Sequence, residues 1–169
     1  MQKPVITLKN LKTMPSLSEE TTAYTATVYV DGEKFAEASN TGQGGEDRIH
    51  PVGRFTYDDL AALEARIKAT YPQFDLSEGL GLIDMDLSLL IGEEITAHEW
   101  LKAYRRTIKK KVLFTKPGSP GIFQMDLTAP HPLAAHVKVI HEKQPQAVIL
   151  NLMPEAEGVA YYRAHVEQQ

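Results

Sequence analysis

The chemistry-bearing stretch of this chain runs from Asn40 through Thr41, Gly42, Gln43, Gly44, Gly45, Glu46, Asp47 and Arg48 to His50, Gly53 and Arg54. Glycines let successive backbone N–H groups converge on one oxygen ligand, and arginine or histidine can add charge and hydrogen bonds. Asn40, Gly42, Gly44, Gly45, Arg48, His50 and Arg54 are therefore expected to form a binding surface for an anion or a partner. No Lys-Ser/Thr pair follows the glycines, so the stretch is not a P-loop, and its spacing is not that of a dinucleotide fingerprint. Glu46 and Asp47 would repel a phosphate, and a glycine pair is first of all a way to turn the chain.

Other groups offer less. His136 and His141 are five residues apart, which on a helix sets their side chains about 140° apart and keeps them from sharing one ion, while His131 precedes that helix. Asp84, Asp86 and Ser88 resemble the start of a calcium loop, but Leu89 and Ile95 stand where such a loop needs Gly and Glu. A small hydrolase using His50 with Asp47 or Glu46 lacks an accompanying nucleophile or metal. Neither a Gly-x-Ser-x-Gly elbow nor a His-Glu-x-x-His helix occurs. No catalytic residue, metal ligand or cofactor is assigned.

The elements that must position these residues are readable from periodicity. Val5–Leu11, Tyr24–Val30 and Lys34–Ser39 alternate as strands, with Asp31-Gly32 as a hairpin turn between the last two. Thr56 and Asp59 have capping-box spacing ahead of a helix whose stripe is Leu60, Leu63, Ile67 and Tyr71, stopped by Pro72. Residues 74–95, with Gly79, Leu80, Gly81 and Gly92, read as a short strand or an extended segment laid over the core. A second helix is expected from a Thr96 cap, with Trp100, Leu101, Tyr104 and Ile108 inward and Lys102, Arg105, Arg106, Lys109 and Lys110 outward. A hairpin over 112–127, a helix through Leu133, Val137 and Ile140, a buried strand Ala147–Leu152 and a last helix after Pro154 complete the chain.

The fold class expected is α+β: a twisted, mostly antiparallel sheet with amphipathic helices on one face. One domain over 1–169 is expected, with 154–169 as a helix that could be appended to it. The chain has no cysteine, which excludes disulfides and thiol chemistry. The net charge of −4 disfavours a general nucleic-acid binder. The basic run from Lys102 to Lys111 reads as the solvated side of its helix, with no interleaved aromatic to stack a base. No apolar run is long enough to span a membrane, and Met1-Gln2-Lys3-Pro4 leads straight into a strand, so a cytoplasmic protein without a membrane partner is expected. An edge strand at either end of the sheet would allow a homo-oligomer by strand pairing.

Ser18-Glu19-Glu20-Thr21, Ala26–Gly32 and Asn40–Gly45 resemble the opening of small accessory proteins carried by bacteriophages and prophages. The similarity covers about the first 50 residues, with weaker echoes at Val112–Phe114 and Ala147–Asn151. The resemblance implies a setting, the cytoplasm of an infected bacterium, and carries over no catalytic residue. It points to a non-enzymatic protein that binds a host component, with countering host defence as one role. The alternatives are a sponge for a small nucleotide-like anion and the small hydrolase described above.

Overall fold

In a computed structural model, which describes residues 2–76, 81–128 and 130–166, the chain is an α+β protein with four helices and three antiparallel sheets among those residues. Strands β1 (Ile6–Thr13), β2 (Tyr24–Val30), β3 (Glu33–Asn40) and β4 (Arg48–Pro51) pair in chain order as an open meander. Asp31 and Gly32 both have positive φ, 51° and 86°, as the tightest hairpin turn between β2 and β3 requires. Alternation sends Ile6, Ala26, Val28, Ala36 and Ala38 into the core, and Thr7, Lys9, Thr25, Glu37, Arg48 and His50 to the other face. In β1 a bulge between Lys9 and Lys12, with Asn10 at φ 53°, interrupts the edge strand, a device that discourages strand addition.

Helix α1 (Tyr57–Thr70) follows the meander and buries Leu63 and Ile67 against the same core. Its capping box is formed: the Asp59 amide donates to the Thr56 hydroxyl, and the Thr56 amide donates to the Asp59 carboxylate at 2.7 Å. The short pair β5 (Phe74–Asp75) and β6 (Leu82–Ile83) comes next; Glu78, Gly79 and Leu80 of the ambiguous 74–95 segment lie outside the described residues.

Helix α2 (Leu87–Ile108) starts well before the expected Thr96 cap. Asp86 is its true cap, accepting from the Leu89 amide at 2.7 Å, and the Glu64 carboxylate accepts from the Leu87 amide at 3.1 Å. Burying Leu87, Leu90, Ile91 and Ile95 outweighs the roughly 1 kcal/mol that Gly92 costs a helix. Ile91 and Tyr104 are both buried although thirteen residues set them about 140° apart, so no single apolar stripe runs the length of the helix. That broken stripe is what hid the first half from sequence reading.

The chain divides into two compact units, Met1–Thr96 and Ala97–Gln169, with the boundary inside α2. Because the boundary falls inside a helix, no linker marks the division. In the second unit β7 (Lys111–Lys116) and β8 (Ser119–Asp126) form the expected hairpin, and α3 (Leu133–Lys143) and α4 (Glu155–Val166) complete the core. Residues 147–152 are not a strand: only Ile149 bridges Phe114, and Leu150–Leu152 is a 3₁₀ turn. The Asn151 side chain explains it, accepting from the Leu113 amide at 2.8 Å and donating to the Lys111 carbonyl at 2.9 Å, bonds a continued ladder would need. Helix α4 packs within this unit against Tyr104 of α2: a Cβ on Gly158 would stand 2.2 Å from the Tyr104 hydroxyl, so only glycine lets them approach. Among the described residues, no helix is long and apolar enough to cross a membrane.

Candidate functional site

The turn joining β3 to β4 is built inward. Buried Asn40 closes it with its side chain: Oδ1 accepts from the Gly42 amide at 2.8 Å and the Thr21 hydroxyl at 2.9 Å, while Nδ2 donates to the Gly45 carbonyl and the Asp47 carboxylate, both at 2.9 Å. The Gly44 amide donates to the Thr21 hydroxyl at 3.3 Å. The amides expected to receive an anion are thus used by the turn itself at Gly42 and Gly44, and Asn40 is a structural clamp rather than a contact residue. Its four bonds satisfy donors and acceptors that would otherwise be desolvated without partners.

A converging set of amides does exist, one loop earlier. The N–H groups of Glu19, Glu20 and Thr21 all donate to the Gly42 carbonyl, at 2.9, 3.0 and 3.3 Å. The guest of that cradle is the protein's own backbone. Gly42, at φ 88°, is obligatory there, since a Cβ would lie 2.2 Å from the Leu17 carbonyl oxygen. Ser18 secures the same loop by donating to the Met14 carbonyl and accepting from the Ala23 amide. The polar run 16–22 is therefore half of this turn, and no periodicity in it signals the pairing.

Beneath the turn, Tyr24 is buried and its hydroxyl has no hydrogen-bond partner among the described residues. Burial, with the Asp47 carboxylate nearby, pushes this phenol far above its ordinary pKa, so it stays neutral.

The remaining predicted residues separate. Arg48 and His50 share the outer face of β4, opposite Ser39 and Glu37. Arg48 is exposed, and its side chain has no partner among the described residues. His50 Nδ1 lies 2.9 Å from the Tyr57 hydroxyl. The hydrolase reading paired His50 with Asp47 or Glu46; in the fold Asp47 is held by Asn40 and His50 by Tyr57, so that pairing is not formed. Arg54 bonds Glu33 at 2.7 Å and lies over the Phe55 ring. Glu33 and Asn40 are opposite ends of β3, roughly 20 Å apart at 3.3 Å per residue, so Arg54 is remote from the turn. On the same outer face, the Lys34 ammonium and the Thr27 hydroxyl hold the Glu37 carboxylate below its usual range.

The other candidates have structural roles. Asp84 pairs with Lys68 and accepts from Gln73, and Asp86 caps α2, so neither forms a calcium loop. His136 Nδ1 lies 3.1 Å from the Pro132 carbonyl and His141 Nε2 lies 3.1 Å from that of Ala147. Among the described residues, no group of three or more His, Asp or Glu is placed to hold a metal ion. Lys102, Arg105 and Arg106 are exposed along α2, as the wheel predicts, and Lys109 and Lys110 are exposed on the turn that follows its end at Ile108. No family model, no curated protein and no solved structure matches this chain.

Proposed function

We propose that this is a non-enzymatic binding protein that engages a host protein through the β3–β4 turn and the adjoining strand face. The contact surface is Gln43, Gly45, Glu46, Arg48 and His50, narrower than the Asn40–Arg54 stretch suggested by sequence. One observation carries the reading: the turn is clamped from inside by Asn40, Thr21 and the 19–21 amides, while the side chains of Gln43, Glu46 and Arg48 are exposed without partners among the described residues. A surface held rigid before contact loses less conformational entropy on binding than a mobile loop does. A small anion, by contrast, would have to rely on Arg48 and His50 with the Gly42 and Gly44 amides already spent, so the sponge reading has less support. The resemblance of residues 1–50 to phage accessory proteins supports a host component as partner and counter-defence as the role.

The test is site-specific photo-crosslinking in bacterial lysate, with the probe at Gln43, at Arg48 or, as control, at exposed Glu142. The same partner is expected from Gln43 and Arg48 and not from Glu142, with recovery lost in Arg48→Glu. A partner recovered equally from Glu142, or none at all, overturns the assignment. Gly45 suits a blocking variant such as Gly45→Arg, because a side chain there meets open space, whereas Gly44 has φ 78° and would be strained by any side chain.

A further inference from the structure

The last turns of helix α2 from His98, with the turn Lys109–Lys110 that follows it, line a groove of about 380 Å³ with Leu101, Lys102, Arg105 and Arg106. Half-buried Leu101 and the aliphatic stems of the cations give it a mainly apolar floor, with the charged heads at its rim. Two of those heads already hold carboxylates of this chain. Lys102 reaches Glu99 at 3.5 Å, and Arg105 takes both oxygens of Glu155, at 2.7 and 2.6 Å. Arg106, Lys109 and Lys110 have no carboxylate partner among the described residues. A merely solvated basic face requires neither an apolar floor nor a seated carboxylate.

We infer that this groove binds an acidic peptide segment carrying an apolar side chain. Its carboxylates meet Arg106, Lys109 and Lys110, and its apolar residue rests on Leu101. The Arg105–Glu155 fork is the same contact made within the chain, a paired-donor geometry that favours carboxylate over a single point contact. Nucleic acid fits the groove less well. A phosphate backbone offers nothing apolar to Leu101, no Phe, Tyr or Trp lines the groove to stack a base, and the net charge of −4 opposes a long polyanion. This surface is independent of the β3–β4 turn.

Fluorescence anisotropy on the intact protein tests the inference with labelled twelve-residue peptides. One has Glu at every third or fourth position around a central Leu; the others replace Leu by Ser, or each Glu by Gln. A labelled DNA duplex of equal charge is the rival probe. The Glu/Leu peptide should bind saturably, more weakly by several-fold with Ser, and not measurably with Gln. Affinity should fall about tenfold between low and high salt, as expected for exposed charges. Arg106→Gln with Lys109→Gln should weaken it about tenfold as well, at roughly one kcal/mol or less per exposed pair. Lys138→Gln, exposed on α3, should leave it unchanged. Glutamine is used because a negative charge at a helix C-terminus would itself disturb the helix; if the double variant melts early, Lys110→Gln repeats the test. No saturable binding, equal affinity for the Ser peptide, tighter binding of the duplex, or unchanged affinity in the folded α2 variants would each overturn it.

Discussion

In the β3–β4 turn the polar groups face inward: Asn40, Thr21 and two glycine amides bond one another, and the Gly42 carbonyl fills a cradle of three N–H groups. Along the second half of α2 and the turn after it they face outward, and the exposed Arg106, Lys109 and Lys110 have no side-chain partners among the described residues. The first region resembled a ligand site because glycine-rich turns and anion cradles need the same residues. The second resembled an ordinary wet face because helical periodicity says nothing about grooves. What separates them is where the hydrogen bonds end: in the turn they are spent on stability, and on the helix they are available to a partner.

The largest effect that would break this contrast is at Gly42. Gly42→Ala should cost about 3 kcal/mol or more in urea unfolding, because the new Cβ meets the Leu17 backbone, which cannot rotate aside, at φ 88°. Gly45→Ala, in open space, should stay within about 0.5 kcal/mol; equal losses at the two glycines would mean the turn is not clamped as described. Next, Asn40→Ala should cost about 2–3 kcal/mol by the same measurement, since it strands the buried Gly42 amide and the half-buried Thr21 and Asp47 side chains. A loss below 1 kcal/mol would show that water replaces those bonds and that the turn is more open.

On the helix the sign reverses. Gly92 is helical, exposed and has nothing within 4 Å of an added Cβ, so Gly92→Ala should raise stability by about 0.5–1 kcal/mol. Destabilisation there would mean that something packs on this side of α2.

The smallest effect concerns pH. Burial pushes the Glu64 carboxyl up, against the pull of its hydrogen bond from the Leu87 amide, with the Asp86 charge adding to the rise. Its contribution to stability is full below the ordinary carboxylate pKa and is lost as pH rises through the raised value. Glu64→Gln keeps an acceptor for Leu87 and never ionises, so thermal melts should place it above wild type at neutral pH, with the difference shrinking near pH 4. A larger advantage at acidic pH than at neutral pH would reverse the assignment.

Local signals were legible wherever their causes are local. Asp31-Gly32 dictates its turn through backbone sterics, Thr56 and Asp59 cap α1 across three residues, and Pro72 follows the end of α1. The early start of α2 was not legible, because Gly92 and the change of buried side between Ile91 and Tyr104 disguise a helix that Asp86, Glu64 and core burial sustain together. Residues 147–152 misled in the opposite direction: their apolar run suits a strand, but Asn151 takes the bonds a ladder would use.

The amino-acid sequence by itself determined the α+β class, the meander's turn and strands, the first helix with its box, and which α2 side chains would be wet. These follow from steric preferences and periodicities that span a few residues. Only the tertiary structure decided that Asn40 and Gly42 serve the fold, that Arg54 pairs with Glu33 away from the β3–β4 turn, and that Arg105 on the basic stripe seats Glu155. Each of those outcomes depends on contacts between segments far apart in the chain, such as Thr21 with Asn40 and Arg105 with Glu155, and pairings of that kind leave no local pattern to read.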